Sequence, residues 1–214
     1  MQEGRITSRT TDGMMPLLNS IKGRYLDIHD VLAIMLYIRE KGPIGRYSIC
    51  KALKIGEGII RGIISRMRSM KLLNVLRAGV MLSDRGNDVL DKFLTDLGII
   101  KIEFLRLTDF TGGLVNLSAQ LRPPVFRSES CIEERDLAVR SGAKGAVIIH
   151  YLNGRLCIPS VYDDLSEEYP RISQYLFTKF ELSEGDHIVI VFNSSKWYLL
   201  RPLMLLTLKL KGYF

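Results

Sequence analysis

The sequence predicts an α+β fold in two parts: a helical unit closed by a β-hairpin and, after it, a small mixed domain. Three observations carry this. Apolar residues recur at helical spacing three times between positions 28 and 70, two β-rich runs flank a glycine turn at 72–82, and from position 99 short β-branched runs alternate with charged helical stretches. With 214 residues the chain has room for two small domains. The expected division is a polar, disordered or loosely ordered lead-in over 1–24, a first domain over 25–98 and a second over 99–214.

The first predicted helix covers 28–41, where Val31, Leu32, Ile34, Met35, Tyr37 and Ile38 recur at helical spacing; Asp27 can cap it and Gly42-Pro43 stops it. Residues 45–53 supply a short second helix with Tyr47, Ile49, Cys50 and Leu53. The glycines of Ile55-Gly56-Glu57-Gly58 make the turn into a third, whose apolar face is Ile59, Ile60, Ile63, Ile64, Met67 and Met70. Three helices in this order form a helix-turn-helix. Two short strands then bracket Ala78-Gly79 and read as a hairpin wing. Ser83 caps a closing helix over 84–97, with Val89, Leu90, Phe93, Leu94 and Leu97 on its buried side. The unit is a winged helix-turn-helix: three helices, a two-stranded wing and a closing helix.

Charge points to what this unit would bind. Net charge is +7, and residues 41–77 hold nine basic residues against the single acid Glu57. A basic block inside a folded pattern is what phosphate neutralisation requires, although a solvated basic surface has the same composition. On the third helix the face opposite the apolar one carries Arg61, Ser65 and Arg68. Arginine can donate two hydrogen bonds to guanine or reach phosphates, and serine can bond a base or a backbone oxygen. Arg46 and Lys54, at the ends of the second helix, are placed for phosphates, and Arg77 lies beside the wing tip, where minor-groove contacts are made. Gly58 and Gly62 weaken the third helix by about 1 kcal/mol each relative to alanine. Either close approach to a nucleic-acid backbone or helix packing inside the domain accounts for them.

No apolar run reaches the roughly 18 residues of a membrane span, and the start lacks the apolar stretch of a secretory signal, so the expected location is cytoplasmic. Cys50, Cys131 and Cys157 are odd in number and unpaired in spacing, which favours buried thiols over disulfides or zinc. No nucleotide-binding loop, nucleophile elbow or paired Cys/His cluster occurs. No catalytic residue, metal ligand or cofactor is therefore expected.

The second domain reads as strands at 99–107 and 113–121, a break at Arg122-Pro123-Pro124, and a helix at 131–141 capped by Ser130 with Glu133. A strand at 146–151, an Asn153-Gly154 hairpin, a helix from 163 to 177, a strand at 187–192 and a last helix ending near Lys211 complete it. Within it, Arg135 and Asp136 can form a structural salt bridge or line a small-molecule pocket. Gly142 to Gly145 can be a plain helix-end turn, or its amides and Lys144 can cradle an anion. Arg140 completes the candidate effector set of Arg135, Asp136, Arg140 and Lys144. The acids Asp163, Asp164, Glu167 and Glu168 read as a solvated helix start rather than a cation site.

The order helix, helix, Gly-Glu-Gly turn, helix and hairpin resembles the winged-helix domain of archaeal transcription regulators, and Leu82-Ser83-Asp84-Arg85-Gly86 is similar to that family's entry into the closing helix. The second half resembles the C-terminal α+β domain, of unknown function, found with such winged helices. It matches at Arg135, Asp136, Ala138, Gly142, Ala143, Gly145, Ala146, Gly154, Leu156 and Pro159. Against that pattern, Tyr198 to Pro202 interrupts an otherwise continuous final helix. The resemblance implies a DNA-binding transcriptional regulator, homodimeric, whose C-terminal domain dimerises or senses a small-molecule effector. Two readings stay open beside it: an enzyme or metabolite-binding protein that uses the winged helix to bind protein, and an RNA-binding or chromatin factor without sequence choice.

Overall fold

The computed structural model describes residues 15–24, 26–123 and 131–213. Its N-terminal half is the winged helix-turn-helix: α2 (Ile28–Lys41), α3 (Arg46–Leu53) and α4 (Glu57–Ser69), the wing β1 (Leu73–Leu76) and β2 (Gly79–Leu82), and the closing α5 (Asp84–Asp96). Ser83 caps α5 as expected, accepting from the Gly86 amide (3.0 Å); at the start of α2, where Asp27 is the cap position, the bond formed is to the Asp30 carboxylate, which accepts from the Asp27 amide (3.2 Å).

The expected lead-in is corrected where the structure describes it. Met15–Lys22 is a helix, α1, whose Leu18 and Ile21 are fully buried against α2 and α4. An eight-residue helix is marginal alone. Burial of those two side chains, at roughly 1.5–3 kcal/mol each, is what holds it.

The C-terminal half is a five-stranded antiparallel sheet in the order β3-β4-β7-β5-β6, built from β3 (Ile99–Leu105), β4 (Val115–Leu121), β5 (Gly145–Leu152), β6 (Arg155–Cys157) and β7 (His187–Asn193). The side chains alternate, so the sheet is apolar on both faces. Leu117, Ala119, Leu121, Ala146, Ile148, Val189 and Val191 face one layer, formed by α7 (Ile132–Arg140) and α10 (Leu200–Leu210). Ile149, Ile188 and Ile190 face the other, with Leu165 of α8 (Leu165–Glu168) and Leu176 of α9 (Pro170–Lys179). A four-residue turn of helix, α6 (Thr108–Thr111), joins β3 to β4.

Three expectations change here. The single helix expected over 163–177 is two, because Pro170 cannot continue α8 and instead opens α9. The final helix begins as a 3-10 turn at Trp197–Leu199 before α10. Of the three thiols only Cys131 is buried; Cys50 and Cys157 are half-buried. The expected Ser130 cap lies outside the described residues.

The two halves share one core. A single cluster of buried apolar residues runs from Leu18 through α2 to Leu210, because α10 packs along α2. At this seam Arg201 of α10 donates to the Asp30 carboxylate (2.6 Å), and Asp30 is almost fully buried. Trp197 completes the joint, set edge-on against Tyr37 of α2 (5.3 Å) and Phe104 of β3 (5.2 Å).

Replacing Arg201 by methionine leaves Asp30 buried without its cation. The expected loss is about 3 kcal/mol, read from the urea midpoint. A second outcome concerns pH. Burial holds the His29 imidazole below its usual pKa, against the pull of Asp30 and Asp27 and with Arg201 adding to the burial effect. Near pH 6.5 the unfolded chain therefore binds a proton that the folded chain still refuses. Stability falls as the pH drops through that range, and His29→Gln flattens the slope.

Candidate nucleic-acid interface

At 100° per residue, α4 divides into two arcs. Ile60, Ile63 and Met67 are buried. Glu57, Gly58, Arg61, Ser65, Arg68 and Ser69 are all exposed on the other arc. Arg61, Ser65 and Arg68 therefore share one open face, and among the described residues neither arginine makes an ion pair. Among the described residues no carboxylate neutralises their charge.

The wing packs on α4 through β1 and is closed by a two-residue turn at Arg77 and Ala78. Gly79 makes the closure possible. Its φ is +138°, and a Cβ there would lie 2.3 Å from the carbonyl carbon of Ile44, which pairs with Val80 across the wing base. The β1 strand buries only Leu73 and exposes Asn74, Val75 and Leu76, so the wing tip presents Val75, Leu76 and Arg77 together.

The other two expected phosphate ligands are less free. Arg46 is ion-paired with Glu57 (2.9 Å), tying the start of α3 to the start of α4. Both side chains are largely exposed, so the pair is weak and salt-sensitive. Lys54 takes the left-handed conformation at the end of α3 and places its ammonium over the Tyr198 ring, 4.6 Å from the centroid. It faces the C-terminal half as much as solvent. Sequence reasoning missed Tyr47, which is 74% exposed next to Arg46 on α3. Taking it for a core residue of a short helix hid it. It also missed Arg66, which turns away from the open arc and donates its Nε–H to the Ile21 carbonyl (2.7 Å), joining α4 to α1.

The candidate effector residues Arg135, Asp136, Arg140 and Lys144 are all exposed. Arg135 and Asp136 are not ion-paired to each other among the described residues, and Arg140 bonds the Asp136 carbonyl at 3.4 Å. The 142–145 turn is structural. The amides of Gly142, Ala143 and Lys144 are spent on the carbonyls of Val139, Ala138 and Phe192. Gly142 has φ +107° and lies against Tyr198, whose ring would be 2.2 Å from a Cβ. A second opening lies at the joint itself. It is a cavity of about 280 Å³ lined by Leu36, Arg39 and Glu40 of α2, Phe104 of β3, Leu117 of β4 and Trp197.

Residues 28–97 match a family model described as the CggR N-terminal DNA binding domain, and residues 116–201 match one described as a domain of unknown function (DUF4443). Among solved structures, a hypothetical protein from Pyrococcus horikoshii OT3 is similar, with a TM-score of 0.69 and 24% identity over 88% of this chain and 94% of that one. This likeness shows that the two-part fold is shared. No curated protein matches the chain. No helix among the described residues is long and apolar enough to cross a membrane.

Gly79→Ala sets a methyl group into the Ile44 backbone at the wing base. The expected result is a thermal midpoint lowered by several degrees, at roughly 2–4 °C per kcal/mol for a chain of this size.

Proposed function

We propose that this protein is a DNA-binding transcriptional regulator in which α4 enters the major groove and the wing follows the adjacent minor groove. The observation that carries the reading is the open face of Arg61, Ser65 and Arg68, two unpaired arginines flanking a hydroxyl on the third helix of a winged helix-turn-helix. Arginine at such a position reads guanine edges or grips phosphate. The matches at 28–97 and 116–201 support the same reading: the first half resembles a DNA-binding domain and the second accompanies it without a known activity. Arg77 with Val75 and Leu76 suits the minor groove, where a cation and apolar side chains act together. The exposure of Arg46 and Tyr47 at the start of α3 supports backbone contacts there, with Arg46 exchanging its weak pair to Glu57 for a phosphate.

The C-terminal half is proposed as the control element, as a homodimer or through a small-molecule effector. The cavity at the joint supports the second role better than the 142–145 turn does, because a ligand there touches α2 and the sheet together. Two-fold pairing would set two α4 helices about one DNA turn apart and call for palindromic sites.

Selection of genomic duplex fragments by the purified protein, followed by binding across a salt series, tests this. Arg61→Ala and Arg68→Ala are each expected to weaken the selected site by about 1–3 kcal/mol and to relax base choice at one position. Binding that is indifferent to salt, or equal for duplex and structured RNA, would sink the proposal.

A further inference from the structure

Beside the open face of α4 runs a groove of about 500 Å³, lined by Lys22, Arg24, Gly56, Gly58, Ile59, Gly62 and Arg66. Its charged lining is wholly basic, and none of its three cations makes an ion pair among the described residues. On the α4 helix Gly58 and Gly62 follow directly round from Ser65, so groove and reading face are one continuous surface. A Cβ at Gly58 would meet nothing within 4 Å; one at Gly62 would meet only the Arg66 guanidinium, at 3.4 Å. The floor is therefore bare backbone without crowding from inside the protein, and internal packing does not account for Gly58.

Arg66 is held in place. Its Nε–H is bonded to the Ile21 carbonyl, and its guanidinium lies against Gly23, where a Cβ would come within 2.7 Å of Nη2. The start of α4 adds to the field. Gly56 caps it without a side-chain bond; the Ile59 and Ile60 amides return to the Gly56 carbonyl, so among the described residues the amides of Glu57 and Gly58 stay open at the groove's end.

We propose that this groove seats the sugar-phosphate backbone of one DNA strand, with Lys22, Arg24 and Arg66 neutralising successive phosphates while Arg61, Ser65 and Arg68 address the bases. The inference rests on the DNA-binding reading and extends it to α1. The helix before the winged domain becomes one wall of the DNA site, and Gly58 and Gly62 are the space a strand needs to pass. Width without side chains, cations without counter-charges and continuity with the reading face all fit a phosphodiester chain.

The test uses the full chain and a selected duplex. Lys22→Ala with Arg24→Ala is expected to weaken binding at least tenfold while keeping base preference. The slope of log affinity against log salt should fall by about two, at roughly 0.9 per phosphate. Gly58→Leu points a side chain into the groove from a position with open space, and leucine favours helix over glycine. It should weaken duplex binding with no loss in thermal midpoint. If both variants bind as the unaltered protein does while Arg61→Ala and Arg68→Ala weaken it, the groove is outside the interface and the proposal is wrong, although the reading face stands. If the groove variants weaken binding and the arginine variants do not, the groove is upheld and the reading face fails. A third arm uses inorganic phosphate alone. Should it raise the thermal midpoint in a manner abolished by the double substitution, with duplex affinity unchanged, the groove holds a free anion and the proposal is overturned.

Discussion

The packing of α10 along α2 decides the shape of this molecule. In α2 the run from His29 to Ile38 is buried without a break, which an amphipathic surface helix cannot be. α1, α3, α5 and the wing strand β2 cover part of it, and α10 covers the rest. The last helix of the chain thus supplies a wall of the first domain's core. Asp30 sits on that wall, and burial there would be costly for a lone carboxylate. Arg201, 171 positions away, removes the cost. The seam is therefore held twice, once by apolar area and once by a buried charge pair.

That constraint has a consequence for control. A winged helix tethered by a flexible linker would move independently of whatever follows it. Here the C-terminal half touches the winged helix through three different chemistries: apolar packing on α2, the Asp30 to Arg201 pair, and the Trp197 sandwich between Tyr37 and Phe104. Lys54, at the end of α3, adds a fourth contact through the Tyr198 ring. Residues 197–204 thus touch both α2 and α3, and α3 in turn packs on α4. On the proposed function, regulation by rigid-body repositioning follows from this layout more readily than regulation by a linker.

What the sequence showed and what it hid divide along the range of the interactions. The starts of α2, α4 and α5 were legible because their signals are local: Asp27, the Gly56 turn, and Ser83. The exposed face of α4 was legible for the same reason, since Arg61, Ser65 and Arg68 are fixed by helical spacing once the buried arc is known. The helix α1 was not. Its two anchoring side chains, Leu18 and Ile21, find partners on α2 and α4, and nothing in a short stretch behind a polar leader announces that. Arg66 was hidden similarly: it sits at the border between the two arcs, and only Ile21 reveals which way it turns. The break at Pro170 was readable in principle, but the acidic run from Asp163 and the apolar residues through Phe177 suggested one continuous helix.

The 142–145 turn shows why a charge-rich segment can mislead about chemistry. A glycine-bounded turn with a lysine after a charged helix has the composition of an anion cradle. Composition does not say where the amides point. Here the sheet claims one of them through Phe192, the helix end claims the others, and the glycines are needed because Tyr198 and Phe192 lie where side chains would be. The opposite holds at Gly58, where the space beyond the glycine is empty. The two glycine positions thus differ: one serves packing against an aromatic ring, and the other has open space where its side chain would be. Distinguishing them takes only the neighbours of a Cβ that is absent: a ring fills that space at Gly142, and at Gly58, on the proposed reading, a nucleic-acid strand would.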